Sequence, residues 1–131
     1  MAATKTTTIT ALGGILVTDF DADVTPANNV TGNSSGTLYL VEVDNTANAT
    51  TAAYFRVRDA ATAVPANSST GVPTWVFYAA AASTATYAIP LGAAYSVGLS
   101  VWCTTSNAAQ NTDAPASAVI VRLIASSVIY D

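Results

Sequence analysis

"YLVEVDNTANATTAAYFRVRDA", residues 39–60, is the stretch on which the reading of the fold turns. It holds two runs that alternate apolar and polar residues, joined by a linker of Asn, Thr and Ala. Alternation of period two marks a half-buried strand, because successive side chains leave opposite faces of the backbone. In the first run Val41 and Val43 share one face, and Glu42 and Asp44 the other. In the second, Phe55 and Val57 oppose Tyr54, Arg56 and Arg58. The two runs are therefore expected to be neighbouring antiparallel strands with Val41, Val43, Phe55 and Val57 inward. Their outward charges would then pair across the strands. An exposed pair adds only about 0–1 kcal/mol, so register and choice of partner explain charge here better than stability does.

That charge matters because there is so little elsewhere. Of 131 residues, four are Lys or Arg and eight are Asp or Glu, 9% in all, against about 25% in an ordinary globular chain. The surface must be carried by Thr, Ser, Asn and Ala. A free monomer of this kind has little charge to keep it dispersed, which fits a surface largely covered by partners. The length suits one domain, able to bury roughly two thirds of its unfolded surface. The net charge is −4, and the cations are Lys5, Arg56, Arg58 and Arg122 alone. Such a chain lacks the clustered cations that neutralise nucleic-acid phosphates or hold anionic lipid.

Histidine is absent and Cys103 is the single cysteine, which excludes an intramolecular disulfide and a Cys/His zinc site. The opening "MAATKTTTIT" lacks the apolar core of a signal peptide. Stretches such as "FYAAAA" and "AVIV" fall far short of the ~20 apolar residues that span a bilayer. Synthesis in a reducing cytosol is expected. N-x-S/T triplets begin at Asn29, Asn33, Asn48 and Asn67, and in a chain this rich in Asn, Ser and Thr composition explains them better than glycosylation.

No window sustains a helical apolar pattern. Strand signals recur instead, separated by Pro, Gly and Asn clusters. They are "TTTITALGGILVTDF", broken at Gly13–Gly14, then "TLYLVEVD", "AYFRVRDA", "TWVFYA" and "ATYAIP". "LGAAY" leads into "SVGLSVWCTT", and "AVIVRLIASSVIY" closes the series. Roughly eight strands with turns between them make the chain all-β, a single antiparallel sandwich or barrel. Val97, Leu99, Val101 and Cys103 would point inward, as would Val119, Val121 and Leu123. Outer faces carrying Tyr54, Trp102 and Ile120 are unusually apolar and suggest contact with another chain, or, for the last strand, burial on both sides. Gly98 would mark a bulge or a close backbone approach.

Catalytic chemistry finds no support. Serine catalysis has no histidine base, and there is no phosphate-binding glycine loop. Cys103, on an apolar strand, reads as a buried structural thiol. Asp19, Asp21 and Asp23 in "DFDAD" could collect Ca²⁺, but an EF-hand would need Gly and Glu where Val24 and Val30 stand. A charged strand end that discourages edge pairing is the better reading. Trp75, Tyr78, Tyr87, Tyr95 and Trp102 could form a sugar-binding platform, with core and interface packing the simpler role. No catalytic, cofactor or metal residue is assigned.

The order of elements over residues 38–130 resembles small virion structural proteins of tailed bacteriophages. The resemblance rests on Asn45-Thr46 ending a strand, Tyr54-Phe55-Arg56-Val57 in its partner, Gly98-Leu99-Ser100, and Thr104-Thr105 following. It implies a jelly-roll-like sandwich at residues 13–131 that decorates a capsid or sits in a neck or tail. Residues 1–12 lie outside the match, as an extended N-terminal arm or a first strand. The expected function is a non-enzymatic capsid cement or decoration protein. A neck, tail or fibre component that binds a receptor or glycan is the alternative. The implied partners are copies of itself and the major capsid protein or another virion protein, with no nucleic acid and no membrane. The implied location is the virion, after synthesis in the host bacterial cytoplasm. Candidate interface residues are Glu42, Asp44, Tyr54, Arg56, Arg58, Trp102 and Arg122.

Overall fold

Alternating runs become eight strands in the computed structural model, which describes residues 3–6, 14–32, 34–67, 69–108 and 112–127. They are β1 (Ala3–Thr6), β2 (Ile15–Ala22), β3 (Gly36–Asp44), β4 (Ala53–Asp59), β5 (Trp75–Ala79), β6 (Thr84–Tyr95), β7 (Leu99–Thr104) and β8 (Val119–Ser126). No helix occurs among the described residues. A five-stranded sheet runs β1-β2-β8-β3-β6 and a three-stranded sheet runs β5-β4-β7. Every pairing is antiparallel. The inner faces form a β-sandwich around one core, which includes Val17, Leu38, Val41, Val43, Phe55, Val57, Leu99, Val101, Cys103, Val119, Val121 and Leu123. Fully burying such aliphatic and aromatic side chains stabilises by about 1.5–3 kcal/mol each, before entropy is counted.

The expected hairpin between residues 39–44 and 53–59 does not form. Val41, Val43, Phe55 and Val57 do point inward, all fully buried. However, β3 lies between β8 and β6, whereas β4 lies between β5 and β7 in the other sheet. Alternation states which side chains share a face, but says nothing of which strand supplies the hydrogen bonds. Placed in opposite sheets, the two apolar rows bury against each other across the core. In one hairpin they would lie side by side and still need a cover.

The linker between them makes the crossing through two buried asparagines. The Asn45 amide group donates to Thr51 O (2.9 Å) and Ala80 O (3.1 Å), and its backbone N–H to Ser83 O. Asn48 Nδ2 donates to Asn45 Oδ1 (2.9 Å) and Ser117 O (3.0 Å), while Asn48 Oδ1 accepts from Ser117 N (2.9 Å). One cluster thus ties the β3–β4 crossing to the β5–β6 turn and to the approach to β8. Buried amides are stable only with such partners. Burial also argues against Asn48 as a glycan acceptor in the folded chain.

β6 is a single strand through Pro90, joining "ATYAIP" to "LGAAY". The strand is at the sheet edge, where a missing N–H is tolerated. Leu40 pairs with Ala88 and Leu38 with Ala93, so Ile89–Gly92 bulge opposite Tyr39 alone. Gly92 has φ 75°, and a Cβ there would stand 2.1 Å from Thr37 Cγ2. Leu91, at the bulge, is 90% exposed. Gly98 is a close approach: a Cβ would meet Asn29 Oδ1 at 3.1 Å.

The outer edge of β7 is covered by the segment after β2. Ala27 bridges to Val101, Val30 N donates to Leu99 O, and Cys103 N donates to Asp23 O. This removes an open edge that could template aggregation. Within residues 1–12, Ala3–Thr6 form an edge strand in register with Asp19–Leu16. The remainder of that segment, and the start of the expected glycine break at Gly13, lie outside the described residues.

The Asn48→Ala variant should unfold in urea with stability lower by about 2–4 kcal/mol, because Ser117 N, Ser117 O and the buried Asn45 Oδ1 all lose their partner. The exposed Asn67, in an equivalent N-x-S/T triplet, supplies the control: Asn67→Ala should cost less than about 1 kcal/mol.

Candidate functional site

The candidate interface residues separate onto two outer faces. On the five-stranded sheet, Glu42 and Arg122 are register partners on β3 and β8. Arg122 Nη1 donates to Glu42 Oε1 at 2.8 Å, with side chains 39% and 32% exposed respectively. Asp44 lies on the same face, and its Oδ1 accepts from Thr46 Oγ1 (2.6 Å) and Thr46 N (3.1 Å). Those bonds to Thr46 hold its carboxyl below the usual range. The expected pairing of Glu42 and Asp44 with Arg56 and Arg58 is replaced, since the arginines lie in the other sheet.

Arg56 and Trp102, expected at a subunit boundary, are buried within the chain at 0% and 1% exposure. They are cross-strand partners on β4 and β7. Arg56 reaches into the loop after β7: Nε donates to Thr104 Oγ1 (3.0 Å), and Nη2 to Ser106 O (2.5 Å) and Ala108 O (2.7 Å). A planar guanidinium can satisfy several carbonyls at once, which makes its burial tolerable. Burial lowers its pKa from the ordinary guanidinium range. Periodicity assigned both residues correctly to the outer side but could not foresee that the chain's own loop would cover them.

Arg58 donates to Val72 O (2.6 Å) and Ser69 O (3.0 Å), pinning the loop before β5. Asp59 accepts from three successive N–H groups, those of Ser96, Val97 and Gly98, at 2.9–3.2 Å. The turn into β7 therefore closes around a carboxylate, a role that a run of charges in sequence does not announce. Tyr54 packs on Tyr78 with ring centroids 5.2 Å apart. With Tyr78 45% and Val76 40% exposed, this corner is the open part of the three-stranded sheet.

The five aromatic candidates for a sugar platform do not assemble. Tyr95 and Trp102 are buried, Trp75 packs against the core, and Tyr87 lies beside Phe77 at 5.3 Å. Tyr87 OH donates to Tyr78 O, joining β6 to the edge of β5. Cys103 is buried, and loss of solvent pushes its thiol up to about 12. A thiol held in that state is a poor nucleophile.

Nor do the three aspartates converge. The register shifts between Asp19 and Ala22, so simple alternation fails there. Asp19 turns inward at 1% exposure, whereas Asp21 is exposed. Asp23 Oδ1 accepts from Thr25 N. Among the described residues no group of acids or cysteine could hold a metal ion. Asp19 Oδ1 accepts from Asp21 N at 3.0 Å, but Oδ2 is buried with no hydrogen-bond partner. Burial raises its pKa.

Comparison with family models, with curated proteins and with solved structures finds no match for this chain.

Because Asp19 has a raised pKa when folded, the folded state holds more protons than the unfolded one as the carboxyl titrates. Its contribution to stability therefore falls as pH rises above the unfolded value of about 3.9. Asp19→Asn keeps the acceptor at Oδ1 and removes the buried charge. In urea unfolding the variant should exceed the parent by about 1–2 kcal/mol at pH 7, with the gap closing toward pH 3.5.

Proposed function

We propose that this chain is a non-enzymatic structural protein of a tailed-phage virion, a cement or decoration protein that bridges subunits of the capsid shell. The observation that carries the reading is the outer face of the five-stranded sheet. There the half-buried Leu16, Leu40, Ile120 and Ile124 surround one ion pair on a molecule otherwise short of charge. Such a face gains from burial against another protein at roughly 25 cal/mol per Å² of apolar area, before association costs. Thr and Ser around it can hydrogen-bond across an interface without stranding a charge. The motif order that resembles virion proteins points the same way. Its elements Asn45 and Arg56 serve as buried tethers, the kind of residue a shared sandwich would keep in place.

A second reading, a neck, tail or fibre module that binds a receptor or glycan, draws on the Tyr54–Tyr78 pair beside the exposed Val76. Amphipathic rings of this kind suit sugar faces and protein anchors alike.

Copy number separates the two. Quantitative mass spectrometry of purified virions should find the chain in hundreds of copies, and the isolated protein should rebind particles stripped of it. About three to twelve copies would match the symmetry of a neck, tail or fibre and favour the second reading. Absence from particles would end both.

A further inference from the structure

Registers across the five-stranded sheet arrange its outer side chains in rows. Leu16 on β2 stands opposite Ile124 on β8, Ile124 opposite Leu40 on β3, and Leu40 opposite Ala88 on β6. Two residues further along the strands the row reads Thr18, Arg122, Glu42 and Thr86. The first row is aliphatic throughout. The second places a cation and an anion side by side at its centre, flanked by threonines. This ion pair is the one salt bridge among the described residues. Alternation alone would make a solvated face polar; here a whole row is apolar, with Leu16, Ile124 and Leu40 half-buried and Ala88 exposed.

We propose that this face is a two-fold contact between two copies of the chain, with the symmetry axis lying along the strands between β8 and β3. Rotation about that line exchanges β8 with β3 and β2 with β6. Ile124 then falls over Leu40 of the second copy, and Leu16 over its Ala88. Arg122 falls over Glu42 of the second copy, and Glu42 over its Arg122. The aliphatic row meets itself, and each charge meets its opposite. A two-fold contact demands this self-complementarity, whereas an unrelated partner would have to supply a matching ion pair of its own. Aligned packing of two sheets also brings row against row, as in the interior of a sandwich. Asp44 lies at the rim of the contact, where it keeps its bonds to Thr46.

Four overlapping strands about 4.8 Å apart, each with about eight residues at ~3.4 Å, give a footprint of roughly 500 Å² per copy. A standard interface takes about 800 Å² per partner. A footprint below that size belongs with weak, transient contacts, so the dimer is expected when the protein is concentrated.

Charge complementation tests it directly. Sedimentation equilibrium of the full chain from about 10 to 1,000 µM should show a reversible monomer–dimer equilibrium. Glu42→Arg puts two cations over two cations, Arg122→Glu two anions over two anions, and each variant alone should stay monomeric. An equimolar mixture should restore dimers, because the two variants then face each other with opposite charge. Leu40→Thr, a conservative change on the outward face, should weaken dimerisation at least about tenfold with the melting temperature little changed. This variant keeps the test decisive if a charge reversal fails to fold. A parent chain that stays monomeric throughout, as it would if another protein occupied the face, overturns the proposal. So does a mixture no different from its separate components. The contact uses the same face as the virion reading, but the two results separate: a dimer that binds no particle leaves this contact standing, and a monomer that binds particles removes it.

Discussion

The sandwich depends on how its chain crosses from one sheet to the other between β3 and β4. A crossing strands backbone carbonyls and N–H groups that neither sheet can pair. Asn45 and Asn48 supply the missing partners, and both are themselves buried. Because the same two amides also hold the β5–β6 turn and the segment before β8, three remote parts of the chain are set by one cluster. An isolated buried amide would cost stability. Linked to five backbone groups and to each other, the pair specifies one crossing geometry.

With the crossing set, the two outer faces acquire different fates. The three-stranded sheet is covered in large part by its own chain, because Arg56 draws the loop after β7 across it and Trp102 is buried alongside. The five-stranded sheet keeps its face open, with an ion pair beside an aliphatic row in register across β2, β8, β3 and β6. This asymmetry gives physical content to the low charge of the sequence. Two of the four cations are spent as internal tethers to carbonyl oxygens, Arg56 and Arg58, and Arg122 pairs on the open face. Arg56, Arg58 and Asp59 place chain segments, so an outer face is left to make its contacts mainly through apolar and hydroxyl groups.

Several of these features were legible in the residues. Val41, Val43, Phe55, Val57, Leu99, Val101, Cys103, Val119, Val121 and Leu123 could each be assigned to the core by alternation, which is a local property of extended backbone. Val97 was misassigned, since it precedes β7 and is 50% exposed. The role of Asp59 at the turn into β7 was not legible, because it joins residues 37 to 39 positions apart. Asp19 follows Val17 on the inward face by simple counting, but the bulge between it and Ala22 leaves Asp21 outward, so the aspartates that counting places on one side are separated.

The sequence by itself determined the class of fold, the inward rows of each strand, and the exclusion of chemistries that need histidine or paired cysteines. These are matters of composition and of a two-residue period, both readable without knowing any partner. Only the tertiary structure decided that β3 and β4 belong to opposite sheets, that Glu42 pairs with Arg122, and that Arg56 and Trp102 are buried. Each of those depends on which distant strand or loop comes to lie alongside. Period-two alternation is identical whether a strand's neighbour is the next in sequence or one 80 residues away, as Arg122 is from Glu42.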